Sequence, residues 1–148
     1  MRQYAGFGAA AAGTDKTVLA LLSGTTVRPE LRYFCIGSSA TPADVATLFK
    51  LLRLTAVGTE GNGFTPTPLD SGDVAALGDY AAAHSSEPTY TSNSELWQMA
   101  VNQRATFQWY AHPDGGIICP ATANTGTGLK SSSSGGTPTI QATMHHGE

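Results

Sequence analysis

Four histidines, two cysteines, eleven carboxylates and a scatter of serines are the groups with which this 148-residue chain could do chemistry. Their spacing argues against each familiar use. A metal centre needs converging ligands, and His145 and His146 are neighbours in an alternating segment, where adjacent side chains point to opposite faces. No H-x-H pair occurs for a cupin-type site. Cys35 and Cys119 lie inside apolar segments (YFCIG, IICPA), form no C-x-x-C, and read as free buried thiols. A serine nucleophile would want a G-x-S-x-G elbow, which is absent. His112 beside Asp114 is better read as the entrance to the Asp114-Gly115-Gly116 turn. A glycosidase-like carboxylate pair could be drawn from Glu60, Asp70, Asp73 or Asp79, but all four sit in or near loops, where carboxylates form solvated turns. The glycines of GTEGNGFTPTP are followed by neither a lysine nor a helix, as a phosphate-binding loop requires. The expectation is a protein with no catalytic residue, no metal and no cofactor.

The composition points toward contact. Charged residues make up 13% of the chain, about half of the roughly 25% typical of globular domains. Glycine, alanine, serine and threonine stand in for them, which suits a surface largely covered by partners. The net charge is −3 and the eight cations are scattered singly. Nucleic-acid binding needs clustered cations to release counterions, so direct contact with DNA or RNA is not expected. No stretch reaches the roughly 18 apolar residues of a membrane span. Residues 1–13 lack the apolar stretch of a secretory signal.

The elements that must position these groups are read from alternation and turn residues. Residues 2–12 form a first strand or an extended N-terminal arm. Thr17–Ser23 is a continuous apolar run suited to a strand buried on both faces, and Leu31–Gly37 is an aromatic-rich strand. Residues 41–57 stay ambiguous: Thr41-Pro42 resembles a helix start and Val45, Leu48, Phe49 and Leu52 keep helical spacing, whereas Leu52–Val57 alternates like a strand. Residues 58–73 are a long irregular loop, and 73–80 suggests a short helix. Residues 81–93 connect. Trp97, Met99 and Val101, then Phe107 and Trp109, share one phase and are assigned to the core. Residues 121–128 read as a loop, 131–136 as a flexible connection, and 138–146 as a last strand. The fold class expected is all-β: one antiparallel β-sandwich domain, jelly-roll-like, with eight or nine short strands and at most one or two short helices.

The succession RYFCIGSSATPADVATLFKLLRLTAVGT, the loop reaching TPTPLDSGD, and the later pieces GGIICPATANTGTGL and TIQATMHHGE resemble small structural proteins encoded beside the capsid genes of tailed bacteriophages. The resemblance spans most of residues 28–148, with a departure at Pro42-Ala43-Asp44. It implies a β-sandwich virion protein on the phage head surface, with capsid decoration (cement) as its role. It also implies the major capsid protein as partner and a homotrimeric state, and brings no catalytic residue with it.

Contact residues are expected in the arm, at Tyr4 and Phe7, and in the long loop, at Phe64, Pro66, Pro68 and Leu69. Phe64 has no periodic partner and is the candidate anchor. The arm is expected to be removable without loss of the fold. The competing reading is a receptor- or carbohydrate-binding module of a phage tail or fibre, which would expose aromatics at a loop tip; Tyr80, Tyr90 and Phe64 are the candidates. A cupin- or glycosidase-class enzyme is the third and weakest.

Overall fold

The computed structural model describes residues 1–11 and 13–148. Twelve strands follow one another: β1 (Gln3–Ala11), β2 (Lys16–Leu22), β3 (Glu30–Ala40), β4 (Ala46–Ala56), β5 (Asn62–Phe64), β6 (Thr67–Pro68), β7 (Asp79–Ala82), β8 (Thr89–Asn102), β9 (Phe107–Tyr110), β10 (Ile117–Ile118), β11 (Gly126–Ser133) and β12 (Thr139–Gly147). They build two antiparallel six-stranded sheets. Sheet A has the order β10-β3-β12-β1-β6, with β9 also on β3; sheet B has the order β5-β7-β2-β11-β4-β8. The all-β expectation holds, and two sheets enclosing one core fit a β-sandwich. The count is twelve, not eight or nine, because β5, β6, β7 and β10 are pieces of two to four residues. Segments that short carry no period to read.

No helix occurs among the described residues. The ambiguous 41–57 region is a short irregular lead, 41–45, followed by strand β4. Its helical spacing arises because both faces are buried. Phe49 and Leu51 enter the main core, while Leu54 joins a second cluster on the outer side with Ala20, Leu22 and Ala81. A strand apolar on both faces loses its period of two. Thr41 lies at φ +46°, not in the extended conformation of a helix cap. Residues 73–78 are likewise irregular, with β7 following them. Two further segments expected to be connections belong to strands: Gly126–Gly128 opens β11 and Ser131–Ser133 closes it. The polar 81–93 stretch holds the end of β7 and the start of β8.

The continuous apolar run of β2 behaves as its composition demands. Its inner side faces the core, and its outer side is covered by the segment entering β8. The Tyr90 hydroxyl lies 2.7 Å from Thr17 Oγ1. A Cβ on Gly128 would fall 2.3 Å from that hydroxyl, so glycine is required for the ring to lie there. Lys130 Nζ sits 5.0 Å from the Tyr90 ring centre. Sheet B is thus roofed over β2 and β11, while β8 at its edge stays mostly exposed.

Strand β1 is not a detachable arm. It pairs with β12 along its whole length, from Gln3 with Gly147 to Ala11 with Thr139; Ala12, the last residue of the expected arm, lies outside the described residues. Its even-numbered residues face the core in rows that cross sheet A. Gly6, Met144, Phe34 and Trp109 form one, and Gly8, Ala142, Ile36 and Phe107 another. Tyr4 is 1% exposed. Both tryptophans pack against the core, as alternation indicated, with Trp109 stacked on Phe34 at 5.4 Å and Trp97 edge-on to it at 5.1 Å. Strands β8 and β9 keep the same phase because both look inward, one from each sheet. Met99, in that phase too, stays 40% exposed on the edge strand β8.

Three outcomes are expected. Removing residues 1–11 abolishes cooperative folding, seen as loss of the thermal transition followed by circular dichroism; a folded remainder would contradict the assignment of β1 to the sheet. Gly6→Ala lowers stability by about 1–3 kcal/mol or more, since its Cβ would lie 2.1 Å from the Tyr80 ring. Gly115→Ala, where nothing lies within 4 Å, leaves the denaturation midpoint unchanged.

Candidate functional site

Two places gather the side chains that can interact: a buried polar chain between the sheets and the outer face of sheet A. The first begins at Tyr80, in sheet B, whose ring crosses the core into the space left by Gly6. Its hydroxyl is 2.9 Å from His146 Nδ1 and 3.2 Å from the Met144 carbonyl, both on β12 of sheet A. His146 Nε2 is 3.2 Å from Glu148 Oε1. The Glu148 carboxylate accepts the backbone N–H of Leu77 (3.0 Å to Oε2) and of Gly78 (2.7 Å to Oε1). Tyr4 stacks on the His146 ring at 5.4 Å and donates its hydroxyl proton to the Val74 carbonyl at 3.1 Å.

A neutral His146 that donates from Nε2 to the carboxylate leaves Nδ1 as an acceptor, and the single Tyr80 proton then lies between two acceptors, Nδ1 and the Met144 carbonyl. Burial pushes the His146 imidazole below its ordinary pKa, against the opposing pull of Glu148, and pushes the Tyr80 phenol well above its own. The chain therefore rests in its neutral imidazole form near pH 7. Its work is structural: it fastens sheet B to sheet A and pins segment 74–78 to the end of β12. The sequence reading gave His145 and His146 no role. The i, i+2 spacing of His146 and Glu148, which puts both on one face, was the available signal.

The second place is the outer face of sheet A. The odd-numbered residues of β1 and β12 look outward and align across four strands. One row runs Ala5, His145, Tyr33, Tyr110, the next Phe7, Thr143, Cys35, Gln108. The His145, Tyr33 and Tyr110 rings stand 4.8 Å apart in sequence. Phe7 is 71% exposed and Tyr110 67%. In these two rows His145 is the one side chain that titrates near neutrality, and burial lowers its pKa. Arg32 lies at the rim, paired with Glu30 at 3.5 Å. A cavity of about 680 Å³ opens at the β1 side of this face, between Phe7 and Phe64.

The six expected contact residues divide. Phe7 is open to solvent and lies 5.5 Å from Phe64. Phe64 is half-buried and stacks on Tyr80 at 5.8 Å, so it is not the partnerless anchor expected. Leu69, 49% exposed, donates its N–H to the Gln3 carbonyl. Pro68 is half-buried opposite Tyr4. Two assignments are corrected: Tyr4 is in the core, because the strand parity that exposes Phe7 turns Tyr4 inward, and Pro66 is buried where the chain passes between β5 and β6. The loop-tip aromatics of the competing reading fare similarly. Tyr80 is fully buried and Tyr90 is spent on roofing sheet B.

Three of the four carboxylates weighed for catalysis have partners of their own. Asp70 Oδ1 accepts the Gly72 N–H at 2.9 Å, Asp73 pairs with Arg2 at 3.5 Å, and Asp79 accepts the Tyr80 N–H. His112 lies 3.4 Å from Asp114 in an exposed turn. Cys35 and Cys119 are both free.

Fold and face together define a two-sheet β protein partly roofed on one side and open on the other. No family model, no curated protein and no solved structure matches the chain.

Two measurements test the buried chain. Tyr80→Phe strands His146 Nδ1 without its donor, and a loss of about 1–3 kcal/mol in chemical denaturation is expected. For pH, a native imidazole below its unfolded value of about 6.5 gives stability that is full above that pH and lost as pH falls through the native value. The melting temperature should therefore drop between pH 7 and 5, and His146→Gln should flatten that drop more than His145→Gln. Equal slopes in all three proteins would remove His146 from the account.

Proposed function

We propose that this chain is a virion structural protein that decorates the head of a tailed bacteriophage, binding where major capsid subunits meet. The observation that carries the reading is the outer face of sheet A. Phe7, Tyr33, Tyr110, Thr143, Gln108 and His145 present aromatic and neutral polar groups across four strands. A face of this composition is suited to burial against a protein: aromatic anchors supply area, and no charge needs to be desolvated. On sheet B the Tyr90 ring covers β2 and β11, and the exposed strand β8 presents only Leu96 and Met99 as large apolar groups. The low charge of the whole chain and the resemblance to capsid-adjacent proteins support the same reading.

The strand order also supports a jelly-roll reading of the sandwich. Setting aside β5, β6, β7 and β10 leaves β1-β12-β3-β9 on one side and β2-β11-β4-β8 on the other. That is eight strands in two four-stranded layers, with first and last strands adjacent, as two interlocked Greek keys require. In this arrangement the four short pieces are additions to an eight-stranded plan. Decoration at symmetric junctions goes with a trimer, and the added area at those junctions would oppose the outward push of packaged DNA.

The test uses purified virions carrying the chain. Phe7→Ala with Tyr110→Ala should leave the melting temperature within about 2 °C, since both side chains are mostly in solvent, yet weaken rebinding to stripped particles by about tenfold or more. Undiminished rebinding would remove the sheet A face from the reading. Failure of the unaltered protein to bind particles would remove the function itself.

A further inference from the structure

The edge of β1 carries a row of backbone groups with no partner among the described residues. The pairing parity establishes which ones. Arg2 and Glu148 exchange N–H and carbonyl bonds at 3.0 Å in each direction, so the even-numbered residues of β1 direct their backbone toward β12. The odd-numbered residues direct theirs the other way. On that side Leu69 donates to the Gln3 carbonyl at 2.8 Å, and Ala5 is matched by Thr67 of β6. There the cover stops. The chain preceding β6 turns away, and β5 pairs with β7 in the other sheet. The N–H and C=O of Phe7, Ala9 and Ala11 are left facing outward, at the spacing of alternate residues in a strand, roughly 6.8 Å.

The space beside this edge is the cavity of about 680 Å³, bounded by Phe7, Ala9, Asn62, Phe64, Gln141 and Thr143. No lysine, proline or inward charge guards it, although those are the usual means by which an exposed edge avoids pairing. Proline does occur next door, at Pro68 of β6, where the edge is already closed.

We propose that the free edge of β1, from Phe7 to Ala11, receives an extended, uncharged segment of a partner protein as an added strand of sheet A. Three outward residues present six alternating donors and acceptors, the complement of one antiparallel strand. Side chains of the added strand that face the core side would enter the cavity between Phe7 and Phe64, where neutral groups alone line the walls. A charged segment would meet no counter-charge there. The inference goes beyond the decoration reading and does not depend on it, since the edge would receive such a segment from any protein.

The test uses the full chain and a capped peptide of seven residues, threonine alternating with valine or alanine, followed by amide exchange and backbone NMR. In the free protein, Gly6, Gly8 and Ala10 amides should be protected and those of Phe7, Ala9 and Ala11 should exchange nearly freely. Adding peptide should slow exchange at the latter three by about tenfold or more. A peptide N-methylated on its pairing edge should have no effect. Ala9→Pro, which removes an outward N–H without breaking the β12 ladder, should keep the melting transition and lose the peptide response. Equal protection by the N-methylated peptide, or none by either at millimolar concentration, overturns the proposal. So does protection that grows with protein concentration alone, which would make a second copy the occupant. Shifts at Phe7, Asn62 and Phe64 produced instead by neutral oligosaccharides, with no amide protection, would overturn it in favour of a glycan.

Discussion

The two sheets are held in register by one side chain crossing between them. Tyr80 leaves sheet B, passes over Gly6, and ends against His146 and the Met144 carbonyl of sheet A. Each feature around it follows from that crossing. Glycine is needed at position 6 because any Cβ would occupy the ring. His146 must be buried and neutral to accept the phenol proton. Glu148 must then reach past the imidazole to the Leu77 and Gly78 amides, which ties down the chain entering β7. Phe64 stacks on the far side of the same ring, so the long loop is anchored to the core by the residue expected to anchor a partner. Buried polar chains of this sort stabilise only when every member is satisfied, and here each has a partner of the right kind.

The crossing also decides which surface is left for contact. Because Tyr4, Gly6 and Gly8 must look inward, the other parity of β1 looks outward, and with it Phe7. The same parity carries across β12, β3 and β9, setting His145, Tyr33 and Tyr110 in one row. On sheet B the outer side of β2 and β11 is filled by Tyr90 and the small cluster around Leu54, and β8 is left exposed. A partly roofed sheet and an open sheet thus arise from one sequence without any residue set aside for binding alone.

Much of this could be read from residues in order. The alternation of the last segment gave a strand, and the unbroken apolar run of β2 and the shared phase of Trp97 and Trp109 gave strands with their correct facing. Other parts were hidden for physical reasons. Gly6 and Gly8 leave no local mark of their role, which is close approach by Tyr80 and by the backbone of β2, a long-range fact. Phe49, Leu51 and Leu54 blurred the period of β4 because both faces of that strand are covered. Strands of two or three residues exist only as pairings and leave no local mark. Of the expected contact residues, Phe7 and Leu69 are on the surface. Tyr4 and Pro66 were misplaced because parity cannot be assigned to an arm, and the irregular loop gave no face to read.

The central claim is that the outer face of sheet A is the surface this protein uses. A reconstruction of the intact particle tests it most directly, because it locates the chain and its facing together. The account predicts the chain on the head shell with Phe7, Tyr33 and Tyr110 buried against neighbouring subunits and the roofed side of sheet B toward solvent. The reverse orientation, or a shell without the chain, would contradict it.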